Sequence, residues 1–360
     1  MMSLKNMDHI IDLIFSKVGP LTLVSLSQTS LSLRSIVTEN RMARRKIQRW
    51  RRMIKKPPRM KTLSNSLSDN SMVPCAMVKG DVAMFVELAD CTKIHIFNIE
   101  QEIATDWIVV EQDFPLPVYE IDFNEDLIVI VAAANEEIWN NLDRKRTVKI
   151  YSRKTKVLLT EFRPQDIVRR IVLHKQILFT MSSHDVAVSD LGCPLSPRVK
   201  SLLVDHQDPV VDIALGEGLL LTLSHSRLQV RKLDTLVSVN KMAFKEKCQK
   251  VALSWPMAAV ASDEKIELLN LKTFRVLREL HYTKFLDSLD IRYGYLFASE
   301  EGQITIWSLE DILDGHQDTE DVTHQNIRII DSVAGAMMVT NSKMLAVGWN
   351  CQKVLIEFVE

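Results

Sequence analysis

Three features of the sequence predict a mainly β chain of seven repeated antiparallel units behind a small helical module. The first is a strand pattern, clearest at Gly302-Gln303-Ile304-Thr305-Ile306-Trp307-Ser308-Leu309: a turn residue, an alternating apolar strand, then an aromatic and a polar residue. Looser copies lie at Lys93–Ile99, Thr147–Tyr151, Asp185–Leu191, Arg227–Leu233, Lys265–Leu271 and Lys353–Phe358. The second is their period. The first apolar residue of each copy falls at 94, 148, 186, 228, 266, 304 and 354, in steps of 54, 38, 42, 38, 38 and 50 residues. A step near ~40 residues, holding several short strands, is the spacing of β-propeller blades. The third is a change before residue 55, where apolar residues recur at three- and four-residue spacing instead of alternating.

The helical module comes first. Asn6 can cap a helix that carries Ile10, Ile11, Ile14, Phe15 and Val18 along one side. Gly19-Pro20 breaks it, and Pro20 suits the first position of a second helix with Leu21, Leu23, Val24 and Leu26. Thr29 or Ser30 caps a third, with Leu33, Ile36 and Val37 on one face. Some fifty residues bury little of their own surface. Their apolar stripe therefore needs a cover, either the propeller or a partner.

Residues 41–61 hold eleven Lys and Arg and no acid, while residues 1–40 balance at zero. With a net charge of −1 for the whole, the remainder carries −12. A nuclear-import signal, an RNA-contacting stripe, or a linker helix held against an acidic surface are the readings of that run. Pro57-Pro58 ends any helix there, and Leu63 to Ser71 is a Ser/Asn-rich connection. The expected organisation is thus a helical module at 1–54, a basic and Ser-rich linker at 55–71, and a propeller at 72–360.

Blade cores are expected at 72–110, 118–161, 168–204, 210–243, 248–280, 285–332 and 334–360. Asn135 to Arg146 lengthens a turn of the second blade. Glu310 to Asn326 lengthens the sixth, with six acids and no Lys or Arg. The last blade ends on its third strand, so its outer strand is expected from within Pro58 to Leu67, joining the two ends of the chain.

These repeats resemble the WD-repeat family over roughly residues 60–360, which implies a seven-bladed propeller. In the sixth copy His281, Ser299, Glu301 and Trp307 match the positions that form the family's hydrogen-bonded structural tetrad. His206-Gln207-Asp208-Pro209-Val210 resembles its loop entering a blade, whereas Phe97 and Tyr151 stand where it has Trp. The stretch Met7 to Leu26 is similar to an F-box, with its apolar opening helix, Pro-containing turn and Leu-rich second helix. It departs from that family at Asn6-Met7, in place of Leu-Pro, and at Leu31, in place of a Trp. The resemblance implies docking on an Skp-type adaptor of a cullin–RING ubiquitin ligase through Ile10, Ile11, Ile14, Phe15, Val18, Pro20, Leu21, Leu23, Val24 and Leu26.

No nucleophile elbow, zincin motif, P-loop or dinucleotide fingerprint is present. Gly216-Glu217-Gly218 reads as a turn, and no set of charged residues announces itself as converging on the channel. The nine histidines and five cysteines show no metal-ligand spacing. The expectation is a non-catalytic chain without metal or cofactor. Scattered, odd-numbered cysteines favour a reducing compartment, and the longest apolar run, Leu127 to Ala134, is too short to span a membrane. Cytoplasm or nucleus follows as the expected location. Loops between second and third strands share the top face with those between blades. Trp139, Arg144 and Arg146 lie in one such loop and Trp349 in another, and Trp and Arg are the residues that most often anchor binding. Acids and bases mix there (Asp90, Asp185, Asp208, Arg227, Asp263, Glu300), which argues for an unmodified protein segment as the substrate of a ubiquitin-ligase receptor. The alternative is a plain WD-repeat scaffold, RNA-associated or not.

Overall fold

The computed structural model describes residues 59–62, 75–79, 82–86, 93–99, 101, 103–110, 118–133, 146–192, 198–202, 208–282, 286, 288–292, 295–300, 303–314, 324–328, 333–338, 343–348 and 353–357. The three helices expected in 1–54, and with them every adaptor-binding residue named above, lie outside the described residues.

Seven four-stranded antiparallel sheets account for the strands. Strand β1 (Arg59–Thr62) precedes the first sheet in sequence but does not belong to it. Blade 1 is β2 (Cys75–Lys79), β3 (Val82–Val86), β4 (Lys93–Asn98) and β5 (Ile103–Val109). Blade 2 is β6 (Val118–Phe123), β7 (Leu127–Ala133), β8 (Arg146–Ser152) and β9 (Leu158–Phe162). Blade 3 is β10 (Arg170–His174), β11 (Ile177–Met181), β12 (Val186–Asp190) and β13 (Arg198–Leu202). Blade 4 is β14 (Val210–Gly216), β15 (Leu219–Ser224), β16 (Arg227–Lys232) and β17 (Ser238–Ala243). Blade 5 is β18 (Cys248–Ser254), β19 (Met257–Ser262), β20 (Lys265–Asn270) and β21 (Arg275–His281). Blade 6 is β22 (Ser288–Arg292), β23 (Tyr295–Glu300), β24 (Gln303–Ser308) and β25 (His324–Arg328), with helix α1 (Leu309–Asp314) between its last two strands. Blade 7 is β26 (Val333–Met338), β27 (Lys343–Gly348), β28 (Lys353–Glu357) and, as its outer strand, β1. The first strands of successive sheets touch in turn, from β2 to β26, and so line a central channel. This is a seven-bladed β-propeller.

Apolar wedges between blades hold it together. Strand β7 is buried along its whole length because its two faces serve two neighbours. Ile128, Ile130 and Ala132 pack with Met84, Ile94 and Ile108 of blade 1. Val129 and Val131 pack with Ile171, Leu173 and Leu178 of blade 3. That is why Leu127 to Ala134 reads as an unbroken apolar run instead of an alternating one. Blades 4 and 5 repeat the device, with Leu221, Leu223 and Val230 against Val251, Ala258 and Val260. Each such side chain is worth roughly 1.5–3 kcal/mol on burial.

Turns follow the repeat. Tight loops between third and fourth strands place Lys156, Leu236 and Phe274 in the left-handed region (φ 61°, 60° and 53°). In each the N–H of that residue bonds the carbonyl four residues back, at 2.7–2.8 Å. The turn at Glu217-Gly218 has positive φ at both residues, as a two-residue hairpin requires. Two boundaries differ from the sequence reading. Arg146 is the first residue of β8, paired with Ala133, and not part of the preceding insertion. The acidic extension ends sooner than expected: it opens as α1, and Asn326 already pairs with Thr305 in β25.

The register of β1 fixes the ring's closure. Arg59 pairs with Glu357 and Thr62 with Val354, antiparallel to β28. Third strands descend from the top face, so β1 rises from the underside, and the chain before Arg59 joins there. A chain starting at Ser71 lacks this strand and leaves blade 7 with an open edge. It should melt about 5 °C or more below one starting at Pro57. Coincident melting curves would show that β1 does not close the ring.

Candidate functional site

The channel and its top rim are where charged residues from different blades meet. Two buried aspartates on inner strands set the pattern. The Asp122 carboxylate on β6 lies 2.5 Å from Lys79 Nζ of blade 1. It accepts the N–H of Phe123 at 2.7 Å and that of Leu173 in blade 3 at 2.6 Å. One side chain thus ties three blades. Lys79 Nζ reaches the Leu173 carbonyl as well, at 3.3 Å. Asp212 on β14 repeats the arrangement: it pairs with Arg170 of blade 3 and accepts the N–H groups of Ile213 at 2.9 Å and of Val251 in blade 5 at 2.8 Å. Burial pushes the Asp122 carboxyl above the usual carboxylate range, against the pull of Lys79 and of the two N–H bonds.

Level with Asp212 and above Asp122, Arg170 and Glu120 face the channel. Burial lowers the pKa of Arg170, while Glu120, Asp122 and Asp290 oppose that shift. Burial pushes the Glu120 carboxyl up to about 7, although Arg170, Lys250 and Arg146 favour its charged form. Glu120 is half-buried on the channel wall. Charged groups therefore do converge on the channel, contrary to the sequence reading. They come from strands about forty residues apart, and only strand register shows that they share one level. The set is balanced in sign and Asp122 and Asp212 are ion-paired, so it serves first to bind blades together.

Of the residues assigned from sequence to substrate binding, Arg146 is described, while Trp139, Arg144 and Trp349 lie outside the described residues. The Arg146 guanidinium stacks 4.1 Å from the Tyr119 ring centroid and donates to the Val168 carbonyl. It braces the rim between blades 2 and 3 at the foot of the insertion. Top-face acids are tied into turns. Asp185 accepts from Ser182 at 2.9 Å, Asp208 accepts from Ser226, and Asp263 accepts from Gln249.

Of the sixth-blade tetrad, Glu301 is outside the described residues. Trp307 is buried and meets the Tyr282 ring edge-on at 5.9 Å. Ser299 is buried with its hydroxyl 2.6 Å from that of Ser288. His281 is the exposed last residue of β21 and pairs in register with Lys265. A different serine repeat went unread in the sequence. Ser182, Ser224 and Ser262 each close the turn after a second strand by accepting the N–H three residues on, at 3.1–3.2 Å. Their spacing of about forty residues was the available signal. Also unread is Trp107 on the outer strand β5, 57% exposed beside Val109 at 56%. No group of His, Cys, Asp and Glu among the described residues could hold a metal ion, and no described helix is long and apolar enough to cross a membrane.

Asp122→Ala would leave the Leu173 N–H without its acceptor and the partly exposed Lys79 without its carboxylate. It should destabilise the protein by about 1–3 kcal/mol. Asp122→Asn, which keeps an acceptor, should cost clearly less. Urea unfolding measures both, and equal effects would show that the bonds across blades contribute little.

No protein-family model matches the chain, and no curated protein matches it in sequence. Solved structures do match in fold. A chain from the crystal structure of a mitotic checkpoint complex superposes with a TM-score of 0.62 at 11% identity, over 85% of this chain and 92% of that one. Hsv2 of Kluyveromyces lactis gives a TM-score of 0.59 at 11% identity, over 78% and 91%. Both are WD40-type β-propellers, and this chain shares their fold.

Proposed function

We propose that this propeller is the substrate-receiving half of a non-catalytic ubiquitin-ligase subunit, whose N-terminal module docks an Skp-type adaptor and cullin scaffold. A WD40-type propeller is a protein-interaction scaffold, and the finer role draws on the F-box resemblance of Met7 to Leu26. The observation that carries it is the direction of β1. Strand β1 rises from the underside into blade 7, which supports a reading in which a module joined to it hangs below and substrate takes the top face. A receptor needs that separation. It acts by raising the local concentration of one bound protein beside another, without chemistry of its own.

On this reading Ile14, Phe15, Leu23 and Leu26 lie in the adaptor's groove as an amphipathic helix pair. A charge at Phe15 would be buried without a partner. Phe15→Asp should abolish co-purification of adaptor and cullin while the propeller unfolds at its usual temperature. If wild-type protein brings down neither, the chain is a plain scaffold.

Substrate is assigned to the top face, with Trp139 and Trp349 as anchors and Arg144 and Arg146 beside them. The double change Trp139→Ala, Trp349→Ala should release substrates identified by proteomics and leave adaptor binding intact. Retention of substrate by that variant would move the binding surface elsewhere.

A further inference from the structure

Four consecutive inner strands each bring one charged residue to the same height of the channel. Strand register fixes this: Glu120 stands in line with Val131 and Val148, Arg170 with Met181 and Val186, Asp212 with Leu223 and Leu228, and Lys250 with Ala261 and Ile266. The third strand of each row starts its apolar pattern at that residue, so the four rows are equivalent. The signs alternate around the ring. Further charges act on these: Arg146 from the rim on β8 and, deeper, Asp290 on β22, in register with Phe297 and Ile306, and Asp122 on β6 with Lys79 from β2. Four acids are thus matched by four cations among the described residues.

Glu120 differs from Asp122 and Asp212. Those two each accept two backbone N–H groups and hold a cation in direct contact. Glu120 has no hydrogen bond or ion pair among the described residues, and it feels Arg170, Lys250 and Arg146 only through the field across the channel. A half-buried carboxylate without hydrogen bonds is the easiest of the set to neutralise.

We propose that Glu120 is a proton-operated switch of the channel mouth: one proton turns the mouth from charge-neutral to net cationic and frees Arg170 and Lys250 from its field. The inference is independent of what the N-terminal module binds. Burial, outweighing Arg170 and Lys250, raises the Glu120 carboxyl to about 7, which puts the change within physiological pH. Because the folded value lies above the ordinary 4.5, the group's contribution to stability is complete below about pH 4.5 and is lost as pH rises through about 7.

The test uses the full chain with glutamate labelled at the carboxyl carbon, the Glu120 resonance being the one missing in Glu120→Gln. A titration midpoint near 7 is expected, and Lys250→Met should move it upward by removing a cation. A midpoint in the ordinary range near ~4.3 overturns the proposal, as does a midpoint unmoved by Lys250→Met. Urea midpoints from pH 5 to 8 supply a second readout. The wild type should lose stability relative to Glu120→Gln as pH rises, and parallel curves overturn the switch. If Glu120→Gln fails to fold, the labelled wild type compared with Lys250→Met still decides.

Discussion

An aspartate that bridges three blades is the interaction on which this architecture depends. Neighbouring sheets in a propeller share no backbone ladder, and the apolar wedge between them is strong but non-directional. Packing alone would let one sheet slide along the next. Asp122 and Asp212 remove that freedom, because each accepts the N–H of its own following residue and one N–H of the next blade's inner strand. A slip of one residue would break the second bond and bury an unpaired charge. Lys79 and Arg170, each from the preceding blade, offset the desolvation of the carboxylates. Blades 1 to 3 and 3 to 5 are tied in this way, with blade 3 contributing to both ties.

This economy of polar bonds explains where the molecule can be charged and where it cannot. The wedge positions of second and third strands are mainly apolar, as in β7, and polar residues buried among them are partnered: Gln229 accepts from Arg231 and Glu267 pairs with Lys265. Inner strands begin at the top rim, where side chains reach the channel and find partners from several blades at once. Outer strands meet water along most of their length, as in β17. Variation that leaves the fold intact is therefore confined to the rim, the turns and the outer strands, the same places from which a scaffold presents its binding residues.

How much of this was legible follows from the distance over which each feature is encoded. The seven-unit repeat was legible because third strands carry a local signature of six or seven residues, and their period survives long insertions. The outer strand supplied from Arg59–Thr62 was legible only by subtraction, since Arg-Met-Lys-Thr does not look like a strand and a three-stranded last blade demanded one. Arg146 was misplaced into a loop because a basic residue beginning a strand looks the same as one ending an insertion. The channel charges were not legible at all. Glu120, Arg170, Asp212 and Lys250 are separated by 38 to 50 residues, and nothing local marks them as sharing a level until the hairpin registers are known. Trp107 was hidden for the opposite reason: an aromatic in an alternating strand is expected to be buried, and only the outer position of β5 exposes it.

The same separation of scales accounts for a fold shared with known propellers at 11% identity and for the lack of a family-model match. A family model reads a local signature, whereas the turns and buried contacts of this chain are built from residues of its own. Lys156, Leu236 and Phe274 occupy left-handed turn positions that suit glycine, at roughly 1–2 kcal/mol each. Ser182, Ser224 and Ser262 close the top turns with a side-chain bond. In the sixth blade Trp307 is held by Tyr282 and its apolar neighbours, and Ser299 by Ser288. What specifies the ring in this chain is non-local: opposite faces of the middle strands packed on two neighbours, a period near ~40 residues, and a first strand that completes the last blade. These are constraints of geometry, and any sequence that satisfies them closes the same ring.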